Sequence, residues 1–156
     1  PRDHNRDYIG ESLHESTRAL RQFLPEWGRG RLRVALDLHC PHIAGPNNEV
    51  IYLVGSPDEA IAARQEALSS VLESVAVGRL PFSASDFLPF GVDWNRVRNY
   101  SGGRSFVGWA SDLPGIFLAS TLELPYANAR GAEVSADSAR EFGRDLAAAL
   151  ARFGWE

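Results

Sequence analysis

The chain has 156 residues, 44% of them hydrophobic and 23% charged, with a formal net charge of −4 at pH 7. That is the length of one domain with an ordinary globular composition; the acidic balance argues against a nucleic-acid partner, which needs a clustered basic surface, and no apolar run approaches the roughly 18 residues of a membrane span. All 16 basic residues are arginine, which excludes Schiff-base chemistry and a phosphate-loop lysine, and the single cysteine excludes an internal disulfide and every thiolate metal cluster.

Residues 1–10 are polar, and Asp3, Asn5 and Asp7 favour turns. Methionine is absent even at the start, so the chain is expected to be a piece of a longer protein. The sequence leaves localisation open; the lone thiol leans toward the cytoplasm. Glu11–Phe23 is predicted as a first helix, with Leu13, Leu20, Phe23 and Leu24 on one face and Pro25 and Gly28 ending it. Val34–Leu38 is a short apolar run that reads as a buried strand, and Val50–Val54 reads as a second. Ser56 is expected to cap the next helix, with Pro57 at its first position and Glu59 completing a capping box.

Residues 79–102 have no regular period, and a stretch of that length in a compact domain is usually functional. Arg104–Ser111 is predicted as a short helix, followed by a strand ending at Glu123 and a loop over 128–134. Ser135 then caps a final helix whose Phe142, Leu146, Ala149 and Phe153 form an apolar stripe. The fold class expected from this order is α/β, with part of a mixed, mostly parallel sheet flanked by helices.

Polar residues gather at two strand ends. Side chains alternate along a strand, so Asp37 and His39 share one face, away from Leu36 and Leu38. The run ending in Glu123 and Pro125 has the same build, and two such strands side by side would bring an imidazole and a carboxylate to one rim of a sheet. His39 is a candidate zinc ligand or a structural histidine; His4-x-x-Asp7 and His39-x-x-His42 are the only short-range pairs. Cys40 follows His39 directly and so faces away from it, which spoils a nucleophilic pair. Asn5-Arg6 offers a guanidinium fork beside an amide, suited to a carboxylate ligand or to a surface ion pair.

Taken together, these segments resemble the zinc carboxypeptidases of the carboxypeptidase A-like metallopeptidase family. Asp3-His4-Asn5-Arg6 resembles the segment that holds the substrate's terminal carboxylate, and Leu36-Asp37-Leu38-His39 resembles the strand delivering the third zinc ligand. Tyr100-Ser101-Gly102-Gly103 resembles the mobile tyrosine loop, with a shorter spacing to the glycines, and Thr121-Leu122-Glu123-Leu124 resembles the strand of the catalytic glutamate. The resemblance implies that residues 1–156 are the C-terminal portion of one such catalytic domain, with Zn2+ as cofactor and a peptide or acylated amino acid as substrate. It implies His39 as a zinc ligand, Asn5 and Arg6 on the substrate carboxylate, and Tyr100 closing over the substrate. Glu123 would take a proton from metal-activated water and pass it to the leaving amine.

The family's upstream His-x-x-Glu and carbonyl-polarising arginine have no counterpart here. The chain alone is therefore expected to be inactive, its exposed sheet edge covered by a missing N-terminal half or by another chain. A deacylase of N-acyl amino acids would use the same constellation. From a different class, a non-catalytic α/β module could keep the carboxylate clamp without metal.

Overall fold

Alternating apolar and polar positions in the strands decide which side of the sheet becomes core. In a computed structural model of the protein, residues 3–155 are described; Pro1, Arg2 and Glu156 lie outside the described residues. Val34–His39 (β1), Tyr52–Val54 (β2) and Leu118–Glu123 (β3) form one sheet in the order β1-β3-β2. β1 runs parallel and β2 antiparallel to β3, so the sheet is mixed, as expected, and the fold is α/β. The helices are Glu15–Gly28 (α1), Glu59–Val75 (α2), Phe106–Ala110 (α3) and Ala136–Arg152 (α4).

Leu118 and Leu122 of β3 join Leu53 of β2 in a core completed by Leu68 and Leu72 of α2 and by Phe142 and Ala149 of α4. Val34 and Leu36 of β1 pack against the same cluster. The opposite face carries Ala35, Asp37 and His39 of β1 with Ala119, Thr121 and Glu123 of β3, as the pleat requires. Small residues at Ala35 and Ala119 let α3, which packs on β1 and β3, come close on that side. Tyr8 wedges in beside it, 5.5 Å from the Phe106 ring and 5.4 Å from the Trp109 ring.

Several expectations are corrected. β1 is an edge strand of intermediate burial, not a buried one, and Leu38 at its end is 69% exposed. The reason is topological: β3 alone has strands on both sides, and among the described residues none pairs with the outer edge of β1. The first helix begins at Glu15, because both oxygens of the buried Asp7 carboxylate take the backbone N–H groups of Leu13 and His14 and hold that segment as a turn. It runs through Pro25 to Gly28, since the Pro25 carbonyl still accepts from Arg29 N. Its apolar stripe faces outward, with Phe23 56% and Trp27 55% exposed. Arg21 fixes that rotation by bonding Gly10 O at 2.8 Å and Ser12 Oγ at 2.7 Å.

The second strand shortens to Tyr52–Val54, and α2 starts two residues late. Asp58, not Ser56, accepts from Ile61 N, while Ser56 Oγ accepts from Asp58 N and Ser56 N donates to Gln65 Oε1. The expected loop at 128–134 contains a hairpin of Asn128–Ala129 (β4) and Ala132–Glu133 (β5). Its turn residues Arg130 and Gly131 have φ of 49° and 87°, the positive pair of a type I′ turn. Ser135 caps α4 as expected, in a reciprocal capping box with Ser138.

Candidate active site

Parallel pairing in register puts His39 of β1 directly beside Glu123 of β3, and antiparallel pairing puts Tyr52 of β2 on the other side of Glu123. The last residues of β1 and β3 and the first residue of β2 thus form a row at one rim of the sheet. Leu124 N donates to His39 O at 2.8 Å and extends the pairing one residue past Glu123, before the buried Pro125. The imidazole and carboxylate expected at one rim are neighbours.

Asn5 reaches His39 from a short 3-10 turn, His4–Arg6. Its Oδ1 accepts from Phe106 N at 2.8 Å, which fixes the orientation of the amide, so Nδ2 donates to His39 Nε2 at 3.1 Å. In the neutral ring Nδ1 then carries the proton, and it lies 3.0 Å from Asp37 Oδ1. The two atoms are in close contact without the alignment of a good hydrogen bond, and they become an ion pair when the ring is protonated. Asp37 Oδ2 and Glu123 Oε2 are also buried without hydrogen-bond partners. Buried polar atoms are nearly always paired, so two unpaired carboxylate oxygens beside His39 are an unusual concentration of unsatisfied polarity at one sheet end.

The electrostatics follow from that crowding. Burial pushes the Glu123 carboxyl above its ordinary range; Asp37 adds to the shift and His39 opposes it. His39 is raised chiefly by Asp37, against burial. Burial pushes the Tyr52 phenol up to about 12, with Trp94 Nε1 donating to its oxygen at 3.3 Å. A carboxylate held reluctant to ionise beside an imidazole with a carboxylate behind it is a fit pairing for proton transfer.

Arg6 and Tyr100 border the same rim. Arg6 Nη1 donates to Asn5 O at 2.9 Å and Nε to Asn99 O at 3.1 Å, and the guanidinium carbon lies 5.3 Å from the centre of the Tyr100 ring. Burial raises the Tyr100 phenol, with Arg6 opposing and the Glu123 charge adding. The five candidates Asn5, Arg6, His39, Tyr100 and Glu123 therefore come together from four separate parts of the chain.

Gly103 explains part of that assembly. A Cβ there would lie 2.0 Å from Arg6 O, so only glycine lets the loop meet the 3-10 turn, where Asp7 bridges Arg104. Arg104 itself is paired with Asp112 at 2.5 Å and acts as a surface ion pair. His4 stacks on His14 at 3.7 Å, while Cys40 and His42 are exposed beyond the end of β1.

Among the described residues, no group of three or more His, Cys, Asp and Glu side chains is arranged to hold a metal ion. His39 offers one ligand nitrogen, Nε2, now engaged by Asn5, and the other ligands of a zinc site would have to come from outside these residues. Sequence reasoning missed Tyr52 and Asn95. The first sits in an apolar run whose pairing direction no local pattern reveals, and the second lies in the aperiodic stretch, where proximity to the site has no sequence signature.

Comparison with family models found no match for this chain, and comparison with curated proteins found none.

Proposed function

We propose that the chain is the C-terminal portion of a zinc carboxypeptidase-like catalytic domain that hydrolyses a peptide or amide bond next to a free carboxylate. The observation that carries this reading is the side-by-side seating of His39 and Glu123 at one sheet rim, with the Asn5-Arg6 pair beside them. Glu123 takes a proton from the attacking water and delivers it to the leaving nitrogen, a task its raised carboxyl suits. Arg6 binds the substrate carboxylate by charge-assisted bonds, and Tyr100 borders the same subsite. Asn5, whose amide is bonded to His39 and to Phe106 N, joins Arg6 on that carboxylate only by giving up the His39 bond. His39 would hold the metal with Asp37 fixing its ring behind. Zinc, when bound, supplies Lewis-acid activation of the water and the scissile carbonyl. The remaining ligands would arrive with whatever covers the open edge of β1 and the outward stripe of α1, either an N-terminal half or another chain.

The test uses the protein as the cell makes it. Zinc content is measured alongside hydrolysis of a panel of C-terminally free dipeptides and N-acyl amino acids. Glu123→Gln is expected to retain the metal and lose most turnover, and His39→Ala to lose the metal. Metal-free protein, or near wild-type turnover in Glu123→Gln, overturns the proposal. The panel also separates a peptidase from an N-acyl amino acid deacylase.

A second reading is a carboxylate-binding module without metal, supported by an Arg6 guanidinium whose hydrogen bonds at Nε and Nη1 do not use Nη2. Carboxylate binding that survives chelation, in a protein that never hydrolyses the panel, identifies it.

A further inference from the structure

Arg6 is the carboxylate clamp of the proposed function, and the inference below rests on that reading. Its guanidinium is held at Nε, at Nη1 and against the Tyr100 ring, and neither of those hydrogen bonds uses Nη2. What holds Tyr100 lies deeper. Its hydroxyl donates to Asn95 Oδ1 at 2.7 Å, and the Phe90 ring lies 6.5 Å away. Asn95 is fully buried, and its Nδ2 donates to Gly55 O at 2.8 Å and Leu88 O at 3.2 Å.

With its amide hydrogens committed to two carbonyls, Asn95 cannot flip, and Oδ1 can only accept. The phenol therefore spends its single hydrogen on a fixed partner. The backbone around Asn95 is equally tied down: its N donates to Val92 O, its O accepts from Gly91 N, and Gly55 N donates to Leu88 O. A continuous set of bonds thus runs from the end of β2 through Asn95 and Tyr100 to the face of the guanidinium. Freeing the hydroxyl would leave a buried acceptor unpaired, at about 1–3 kcal/mol.

We propose that Asn95 and Tyr100 form a fixed platform that orients Arg6 toward a ligand carboxylate, and that Tyr100 is a positioning residue that stays in place rather than a lid that swings over the substrate. The hydroxyl orients the ring, the ring orients the guanidinium, and the clamp is ready before the ligand arrives. Preorganisation of this kind improves ligand affinity without touching the bond that breaks.

The experiment uses the full chain and N-acetyl-phenylalanine as probe, with its C-terminal amide as the control lacking a carboxylate. Tyr100→Phe keeps the ring and loses the latch. It is expected to raise the probe Kd, or the KM of a turned-over substrate, by about three- to tenfold, the equivalent of one hydrogen bond, with kcat within about twofold. The 19F resonance of 3-fluorotyrosine at position 100 reports the ring directly, and it is expected to keep its half-buried environment on saturation with probe. Asn95→Ala is expected to reproduce the affinity loss; should it unfold the loop, Tyr100→Phe and the fluorine signal still decide. Unchanged affinity in Tyr100→Phe, with affinity abolished in Arg6→Ala, overturns the platform while leaving the clamp. A fluorine resonance that moves to a solvent-like or new environment on binding overturns it in favour of a moving ring. Unchanged affinity in Arg6→Ala, or equal binding of the amide control, overturns the clamp reading and the platform with it.

Discussion

Replacing Glu123 by glutamine should make the protein more stable while removing its proposed chemistry. The residue is 5% exposed, one of its oxygens has no hydrogen-bond partner, and burial holds its carboxyl above the ordinary range. A buried unpaired acceptor costs about 1–3 kcal/mol, and more when charged. Attraction to His39 and the needs of the new amide offset part of that, leaving a net gain of about 1–2 kcal/mol. For a domain of this size the gain corresponds to about 3–6 °C in Tm. The pH dependence has a definite sign. A carboxyl raised in the folded state binds its proton more tightly there, so wild-type stability is complete below the unfolded value of about 4.5 and falls as pH rises through the folded pKa. The advantage of Glu123→Gln should therefore vanish near pH 4 and be full near about pH 8. Thermal melts by circular dichroism at both pH values test it. A variant less stable than wild type at the higher pH, or an equal gain at both, would refute the reasoning.

The opposite protonation chemistry governs His39, whose raised pKa stabilises the fold below about 6.5 and ceases to do so as pH rises through the folded value. His39→Gln should thus lag wild type most in melts at about pH 5.5 and least at about pH 8.5, and a gap that widened with pH would count against the Asp37 pairing. Gly103→Ala should destabilise by about 2 kcal/mol or more, because the new Cβ lands 2.0 Å from Arg6 O, a backbone atom that no rotamer change can move aside. Urea unfolding measures it, and a loss under about 0.5 kcal/mol would mean the loop meets the 3-10 turn less tightly than its packing indicates.

The site was more legible than the frame around it. Asp37, His39 and Glu123 were readable because alternation fixes which face a strand residue takes, and because a proline stop marks where a strand ends. Their adjacency depends on the parallel pairing of β1 and β3, which no local pattern encodes. Helix boundaries failed where a distant side chain intervened: Asp7 delays α1, and Gln65, bonded to Ser56 N, accompanies the shift of the cap to Asp58. The outward stripe of α1 has the periodicity of a core-facing helix, and nothing local to it records which way the helix is turned. Asn95 illustrates the remaining gap. An asparagine in an aperiodic stretch reads as a turn residue, and its role depends on two carbonyls, one of them 40 residues away.

Stability and proposed chemistry are interleaved along one strand. In β3, Leu118 and Leu122 fill the core, while Thr121 and Glu123 face the opposite side, so neighbouring residues answer to different demands. A slip of one residue in the β1–β3 register would turn β1 over, sending Asp37 and His39 to the core face and Leu36 and Leu38 to the opposite one, while β3 stays held by β2. The core face therefore fixes the geometry of the site without contributing an atom to it: Leu118 and Leu122 set the register that seats His39 beside Glu123. The unpaired oxygens of Asp37 and Glu123 are tolerated because that register is secured elsewhere. It follows that enlarging or truncating Leu122 would disturb the proposed chemistry through strand alignment, whereas changing Glu123 would abolish it and leave the alignment intact.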